Sequence, residues 1–274
     1  MLIRPLNIQY FNIAIIYKMP KKYNLLELFK GTGSVGKAAE KTGKFNVVSV
    51  DFDPIYTPNI ETDILRWDYK KWYETNKWVP DFIWGSPPCN TFSPLSYRLK
   101  ERDLQTAKPL SDRARVGTAL LHRTLRIIAY FKKINPNLLF CIENPRGMMR
   151  LDPLMKRLPY LTTTYYCFYG DARYKPTDFW SNFPLNLREG KMRSCFGADG
   201  RNVISGKKYV GVQDTPTMAG RYFIPQQLIK DILTDFFDEY KGSGHGKTPP
   251  PDLKADPNVK LSREFGETLT TKKK

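Results

Sequence analysis

With 274 residues the chain has room for one sizeable α/β domain and too little for a second of full size. A hydrophobic share of 41% excludes a chain that is disordered throughout. Lysine and arginine total 44 against 27 aspartate and glutamate, a net charge of +17 that suits a polyanionic partner and disfavours a basic one.

Residues 1–22 read as an extension ahead of the fold, with a second methionine, Met19, close to the first organised strand. The apolar run Phe11–Tyr17 is too short for a bilayer span, so no membrane segment is expected. Tyr23–Phe29 reads as a strand running into a turn at Gly31, followed by a helix from Ser34 to about Thr42–Gly43. Phe45–Val50 is a second strand ending at Asp51, Asp81–Trp84 a third and Leu138–Ile142 a fourth. Between the last two, Ser111 caps a helix that sets Val116, Leu120, Ile127, Ile128 and Phe131 on one face. Strands alternating with helices predict a mostly parallel α/β sheet with helices on both faces, and ligands beyond the carboxyl ends of its strands. Leu161–Asn182, rich in Thr, Tyr, Phe and Trp, suits further strands. Gln226–Tyr240 is a closing helix, so the domain proper spans 23–240. Residues 241–274, rich in Gly, Pro and Lys, read as a disordered basic tail.

The cysteines, Cys89, Cys141, Cys167 and Cys195, are far apart and form no CxxC pair. That spacing argues against a zinc site and against a disulfide framework, and predicts an intracellular, reducing compartment. Cys141 and Cys167 lie in apolar runs and suit burial as small hydrophobes.

Three strand ends carry the chemistry. Gly31-Thr32-Gly33-Ser34-Val35-Gly36 is a glycine-rich strand-to-helix turn that fits a dinucleotide or S-adenosylmethionine, with Asp51 at the next strand end placed for ribose hydroxyls. Glu27, inside the first strand, needs a buried partner, and a ligand amino group favours S-adenosylmethionine. Gly85-Ser86-Pro87-Pro88-Cys89 presents a thiol after a stiff proline pair. From Arg98 to Lys133 ten cations stand against three acids, which predicts a lowered thiol pKa. Cys141-Ile142-Glu143-Asn144-Pro145 brings a carboxylate to another strand end, where desolvation would raise its pKa. A poised acid facing a poised thiol suits nucleophilic attack on a heterocycle with ring protonation.

Taken in order, Leu26-Glu27-Leu28-Phe29 with Gly31 and Gly33, Asp51, Asp63-Ile64, Ser86-Pro87-Pro88-Cys89 and Glu143-Asn144-Pro145 resemble the motifs of cytosine-C5 DNA methyltransferases. The resemblance runs from about Tyr23 to Leu233. Its later parts, from Tyr169-Gly170 through Lys175-Pro176-Thr177 and Phe179-Trp180 to Gly220–Leu228, are similar to compact phage and large-virus forms. It implies a Rossmann-like fold using S-adenosylmethionine, with Phe29, Gly31, Thr32, Gly33, Asp51, Asp63, Ile64 and Pro87 around the cofactor. Pro87 would also position an extruded cytosine, Cys89 would add to its C6, and Glu143 would hold N3. Arg173 and Lys175 stand near the family's base-orienting residues, though the usual glutamine and paired arginines are absent. Residues 181–218 are a reduced target-recognition segment. The resemblance implies DNA as partner, a monomer without metal, and, for a viral protein, the host cytoplasm or nucleus. An impaired methyltransferase fold that only binds DNA, and an amino methyltransferase acting on N4 or N6, remain open. The latter expects an aromatic where Cys89 stands. A nicotinamide enzyme fits the glycine run alone.

Overall fold

The computed structural model describes residues 22–242, so the extension and all but the first two residues of the tail lie outside the described residues. β1 (Tyr23–Leu28) leads through the glycine turn to α1 (Ser34–Lys41) and β2 (Phe45–Asp51). Next come β3 (Ile60–Glu61), α2 (Tyr69–Asn76), β4 (Phe82–Gly85), α3 (Asp112–Ile134) and β5 (Leu139–Pro145). β6 (Tyr160–Tyr165), β7 (Pro176–Ser181), α4 (Met218–Tyr222) and α5 (Gln226–Gly242) complete the order.

The strands form one seven-stranded sheet in the order β3-β2-β1-β4-β5-β7-β6. The pairs from β3 to β5 are parallel, and β7 runs antiparallel to both β5 and β6. This is the Rossmann-like, mostly parallel sheet with helices on both faces that the sequence predicts. Residues alternate between faces as the pleat requires. Leu25, Phe82, Trp84, Cys141 and Phe179 pack under α1 and α5, while Leu26, Leu28, Ile83, Phe140, Ile142 and Trp180 pack against α3.

Two short elements, β3 and α2, carry no clear period in the sequence. Ser111 does cap α3, its hydroxyl accepting the Ala114 N–H at 3.1 Å. The buried face of α3, however, contains Gly117, Leu121, Thr124 and Leu125, and leaves Val116 and Leu120 half-buried. Small polar contacts turn the helix: Gly117 lies against Thr91, Arg102 and Phe92, and Thr124 against Gly85. Nor are all the cysteines unpaired, because Cys167 and Cys195 form a disulfide across 28 residues of sequence. Cys167 sits in a 3-10 turn after β6, not in a strand, and the irregular segment after β7 folds back to meet it. A separation of that length has no signature in a single sequence. Cys141 is buried and free in β5.

Candidate active site

Strand register assembles the site. Leu28 pairs with Val50 and Gly85, and Gly85 with Ile142. The residues that follow, Phe29, Asp51, Ser86 and Glu143, therefore emerge along one edge of the sheet.

On the β1–β2 side, Phe29, Gly31 and Gly33 all have positive φ, at 61°, 48° and 67°. That region is open to glycine and strained for phenylalanine. The turn so formed aims the Gly31 N–H at Asp51 Oδ2 (2.8 Å), and Asp51 Oδ1 accepts the Asp53 N–H (3.0 Å). Each carboxylate oxygen keeps a lone pair for a further donor. The Thr32 and Ser34 hydroxyls lie 2.8 Å apart. Thr62 donates to the Asp51 carbonyl, which brings exposed Asp63 and buried Ile64 beside it.

Glu27 lies beneath this turn, 2% exposed, and its Oε2 has no hydrogen-bond partner. A Cβ on Gly36 would come within 2.6 Å of that oxygen, so a glycine is needed there. Burial raises the Glu27 pKa to about 7, although the Gly36 and Val35 N–H groups lean the other way. An orphaned carboxylate oxygen under a glycine turn fits the amino group of a methionine moiety, and the flanking Asp51 fits a ribose. Sequence reasoning missed Phe52, which follows Asp51 and is 71% exposed, an open aromatic face at the same strand end.

On the β4 side, Ser86 is held by its N–H to the Leu28 carbonyl and by the Trp84 indole to its hydroxyl. The Asn144 amide donates to the Pro87 carbonyl at 2.7 Å, tying the proline pair to β5. The Phe92 and Ser93 N–H groups both return to the Cys89 carbonyl at 2.9 and 3.0 Å, so the half-buried thiol projects from a tight turn. Gly147 lets that turn approach: a Cβ there would meet the Phe92 carbonyl oxygen at 2.3 Å.

The far side of the turn is braced by Arg102, one of the ten cations of the basic stretch. Its guanidinium is buried, stacks 3.6 Å from the Phe92 ring centre, and donates to the carbonyls of Thr91, Ala107 and Ala114 and to the Thr91 and Thr118 hydroxyls. Arg123 is likewise engaged by the Ile64 and Trp67 carbonyls. The basic stretch therefore does not lower the Cys89 pKa. Burial pushes the thiol up and Glu143 adds to it, while the cation that opposes them is Lys175.

Glu143 lies inside β5 opposite Phe179, is buried, and accepts the Tyr166 hydroxyl at 3.2 Å. Lys175 is buried over the Tyr166 ring, with Nζ 4.6 Å from its centre and 3.0 Å from the Arg221 carbonyl. Cys89, Glu143, Pro87 and Lys175 thus converge. Arg173 does not reach this cluster as a free donor. Its guanidinium is engaged by Asp171 and by the carbonyls of Gly220, Arg221 and Phe223, so it clamps α4 in place. The tyrosine at 166 and the brace at 102 carry no motif that a single sequence displays.

Among the described residues no group of three or more His, Cys, Asp or Glu is placed to hold a metal, and no helix is long and apolar enough to cross a membrane. No protein-family model matches the chain. It is 32% identical over 222 residues to the probable DNA (cytosine-5)-methyltransferase of Frog virus 3 (isolate Goorha), a match covering 76% of this chain and 98% of that relative. A solved structure, the S. pombe Dnmt2 methyltransferase, is similar with a TM-score of 0.40 and 14% identity over 61% of this chain, which spans 52% of that protein's length.

Proposed function

Because the chain belongs to the DNA (cytosine-5)-methyltransferase family, we propose that it methylates C5 of cytosine in DNA with S-adenosylmethionine, through a covalent bond from Cys89. The observation that carries this reading is the convergence of the Cys89 thiol, the Glu143 carboxylate and the Lys175 ammonium at adjacent strand ends. When bound, S-adenosylmethionine supplies an electrophilic methyl group. Phe29, Gly31, Thr32, Gly33, Asp51, Asp63 and Ile64 would hold it, with Glu27 as an acceptor for its amino group and Phe52 as an aromatic face at the same strand end.

The target base leaves the duplex and enters the cleft at Pro87. Cys89 Sγ, as thiolate, forms a bond to C6 of cytosine, and the C5–C6 electron pair moves toward N3. Protonated Glu143 gives its proton to N3, so the ring becomes a neutral enamine with a nucleophilic C5. Once C5 carries the methyl group, N3 returns its proton to Glu143, solvent water takes the proton from C5, the C5–C6 double bond re-forms as the C6–Sγ bond breaks, and Cys89 departs as thiolate. Lys175 favours that thiolate in both steps. Arg173 positions the α4 segment and does not touch the base.

Duplex DNA carrying 5-fluorocytosine tests the reading, since fluorine cannot leave C5 as a proton does. Incubation with S-adenosylmethionine is expected to trap a covalent adduct at Cys89 that is absent in Cys89→Ser. Methyl transfer undiminished in Cys89→Ala would refute the mechanism.

A further inference from the structure

Tyr166 touches the carboxyl group of Glu143, and the chemistry above gives it no part. Its side chain is fully buried, and its hydroxyl donates to Glu143 Oε1 at 3.2 Å. Burial, and then the neighbouring carboxylate, hold this phenol well above its ordinary range, so it keeps its proton and remains a donor. Its backbone is held on both sides. The Tyr166 N–H reaches the Tyr174 carbonyl at 3.1 Å, and the Tyr166 carbonyl accepts the Asp171 N–H at 3.3 Å. The next residue, Cys167, is tied by its disulfide to Cys195 and by the Asn202 amide, which donates to the Cys167 carbonyl at 2.9 Å. Glu143 is thus gripped from a fixed point.

The cations nearby are committed elsewhere. Arg173 clamps α4 and meets Tyr166 through the ring, 5.7 Å from its centre. Lys175 bonds the Arg221 carbonyl and lies over the same ring at 4.6 Å. Positive charge against the ring strengthens the phenol as a donor. The titratable groups that face Glu143 are Cys89 and Lys175 from neighbouring turns, Cys141 from its own strand, and Tyr166. A hydrogen bond to an ionised carboxylate is roughly twice as strong as one to the neutral acid. The Tyr166 contact therefore gains strength as Glu143 gives up its proton, which is the condition for lowering a barrier.

We propose that Tyr166 is the positioning residue for proton transfer from Glu143: its hydroxyl holds Oε1, so that Oε2 carries the proton to N3, and it stabilises the carboxylate left behind. The inference rests on the methylation reading and adds the group that acts on Glu143. The proton passes from Oε2 to N3 and returns the same way, while the Tyr166 proton stays on its own oxygen.

The test is Tyr166→Phe, which keeps the buried ring and removes the donor. Single-turnover methyl transfer to duplex DNA is expected to slow by roughly tenfold to a hundredfold, the range for a lost hydrogen bond to a charged group. Affinities for S-adenosylmethionine and DNA should stay within about twofold of wild type, because the contact strengthens only during reaction. Monofluorotyrosine at this position, a more acidic phenol of nearly the same size, should restore the rate to the wild-type level or above. A Tyr166→Phe variant as fast as wild type, a loss confined to binding, or a fluorotyrosine protein as slow as Tyr166→Phe would each overturn the inference. An infrared arm reads without turnover. The protonated carboxyl band that Glu143→Gln removes at acidic pH should move to higher wavenumber in Tyr166→Phe, as Oε1 loses its donor. An unmoved band takes Tyr166 away from Glu143. If wild type methylates no duplex, the reaction as read above fails, and the band still decides the contact.

Discussion

Replacing Glu27 by glutamine keeps the shape of the protonated side chain and removes the charge. In the folded protein Glu27 titrates at about 7, against 4.5 for a free glutamate. Between those values the native state holds a proton that the unfolded chain has lost, so native stability falls as pH rises through this window. The contribution is fully present below 4.5 and is gone above about 7. The gap corresponds to roughly 3 kcal/mol at 1.36 kcal/mol per pH unit, and the near-complete burial of Glu27 leaves little solvent screening to reduce it. Urea unfolding of the cofactor-free protein from pH 4.5 to 8.5 reads this directly. The difference between Glu27→Gln and wild type is the quantity to follow, because other carboxylates cancel in it. The variant should match wild type near pH 4.5 and gain up to about 3 kcal/mol by pH 8.5. A bound ammonium at Oε2 reverses the preference, so S-adenosylmethionine binding at pH 6 should expel a proton from wild type and none from the variant. Calorimetry in buffers of different ionisation enthalpy measures that proton. A stability difference that is flat with pH, together with no proton release, would refute the orphaned-carboxylate account.

Arg102→Ala should destabilise the fold by about 3 kcal/mol or more, because buried carbonyls of Thr91, Ala107 and Ala114 lose a charged donor together. Arg102→Lys should not restore the rate of adduct formation at Cys89, since one ammonium cannot span those acceptors; stopped-flow trapping with the fluorinated duplex is the check. Lys175→Gln removes the cation that opposes the rise in the Cys89 pKa. Its rate profile should therefore shift to higher pH, and a profile superimposable on wild type would exclude Lys175 from thiolate formation.

The strand ends were legible because parallel strands buried on both faces write themselves as apolar runs, and a chemical residue directly after such a run stands out. That is how Asp51, Cys89 and Glu143 could be placed before any coordinates. What could not be read depends on contacts distant in sequence. Arg102 looks like any surface arginine until Thr91, Ala107 and Ala114 surround it, and the same holds for Arg173 once Gly220 and Phe223 close over it. Ile127, Ile128 and Phe131 lie on the buried face of α3 as expected, while its first half is set one position beyond Val116 and Leu120 because Gly117 and Thr124, small residues with no hydrophobic signal, make the closest approaches. The disulfide needed Cys167 and Cys195 to be neighbours in space, which only the fold of the segment after β7 arranges.

The raised thiol of Cys89 looks unfavourable for a nucleophile, yet its causes are the ones that substrate changes. The largest is burial, and the next is the Glu143 carboxylate. When Glu143 carries the proton destined for N3, its repulsion of a thiolate disappears, while Lys175 remains close by. In the proposed mechanism the acid for the base and the thiolate for C6 would thus both follow from a proton on Glu143. A bound cytosine that engages Glu143 would there remove the repulsion that helps to hold the thiol up. This coupling explains why the fold spends buried space on three ionisable groups within one cleft. It also requires Glu143→Gln to act on both sides: it lowers the repulsion felt by Cys89 but supplies no proton to N3, so thiol alkylation should speed up while methyl transfer is lost.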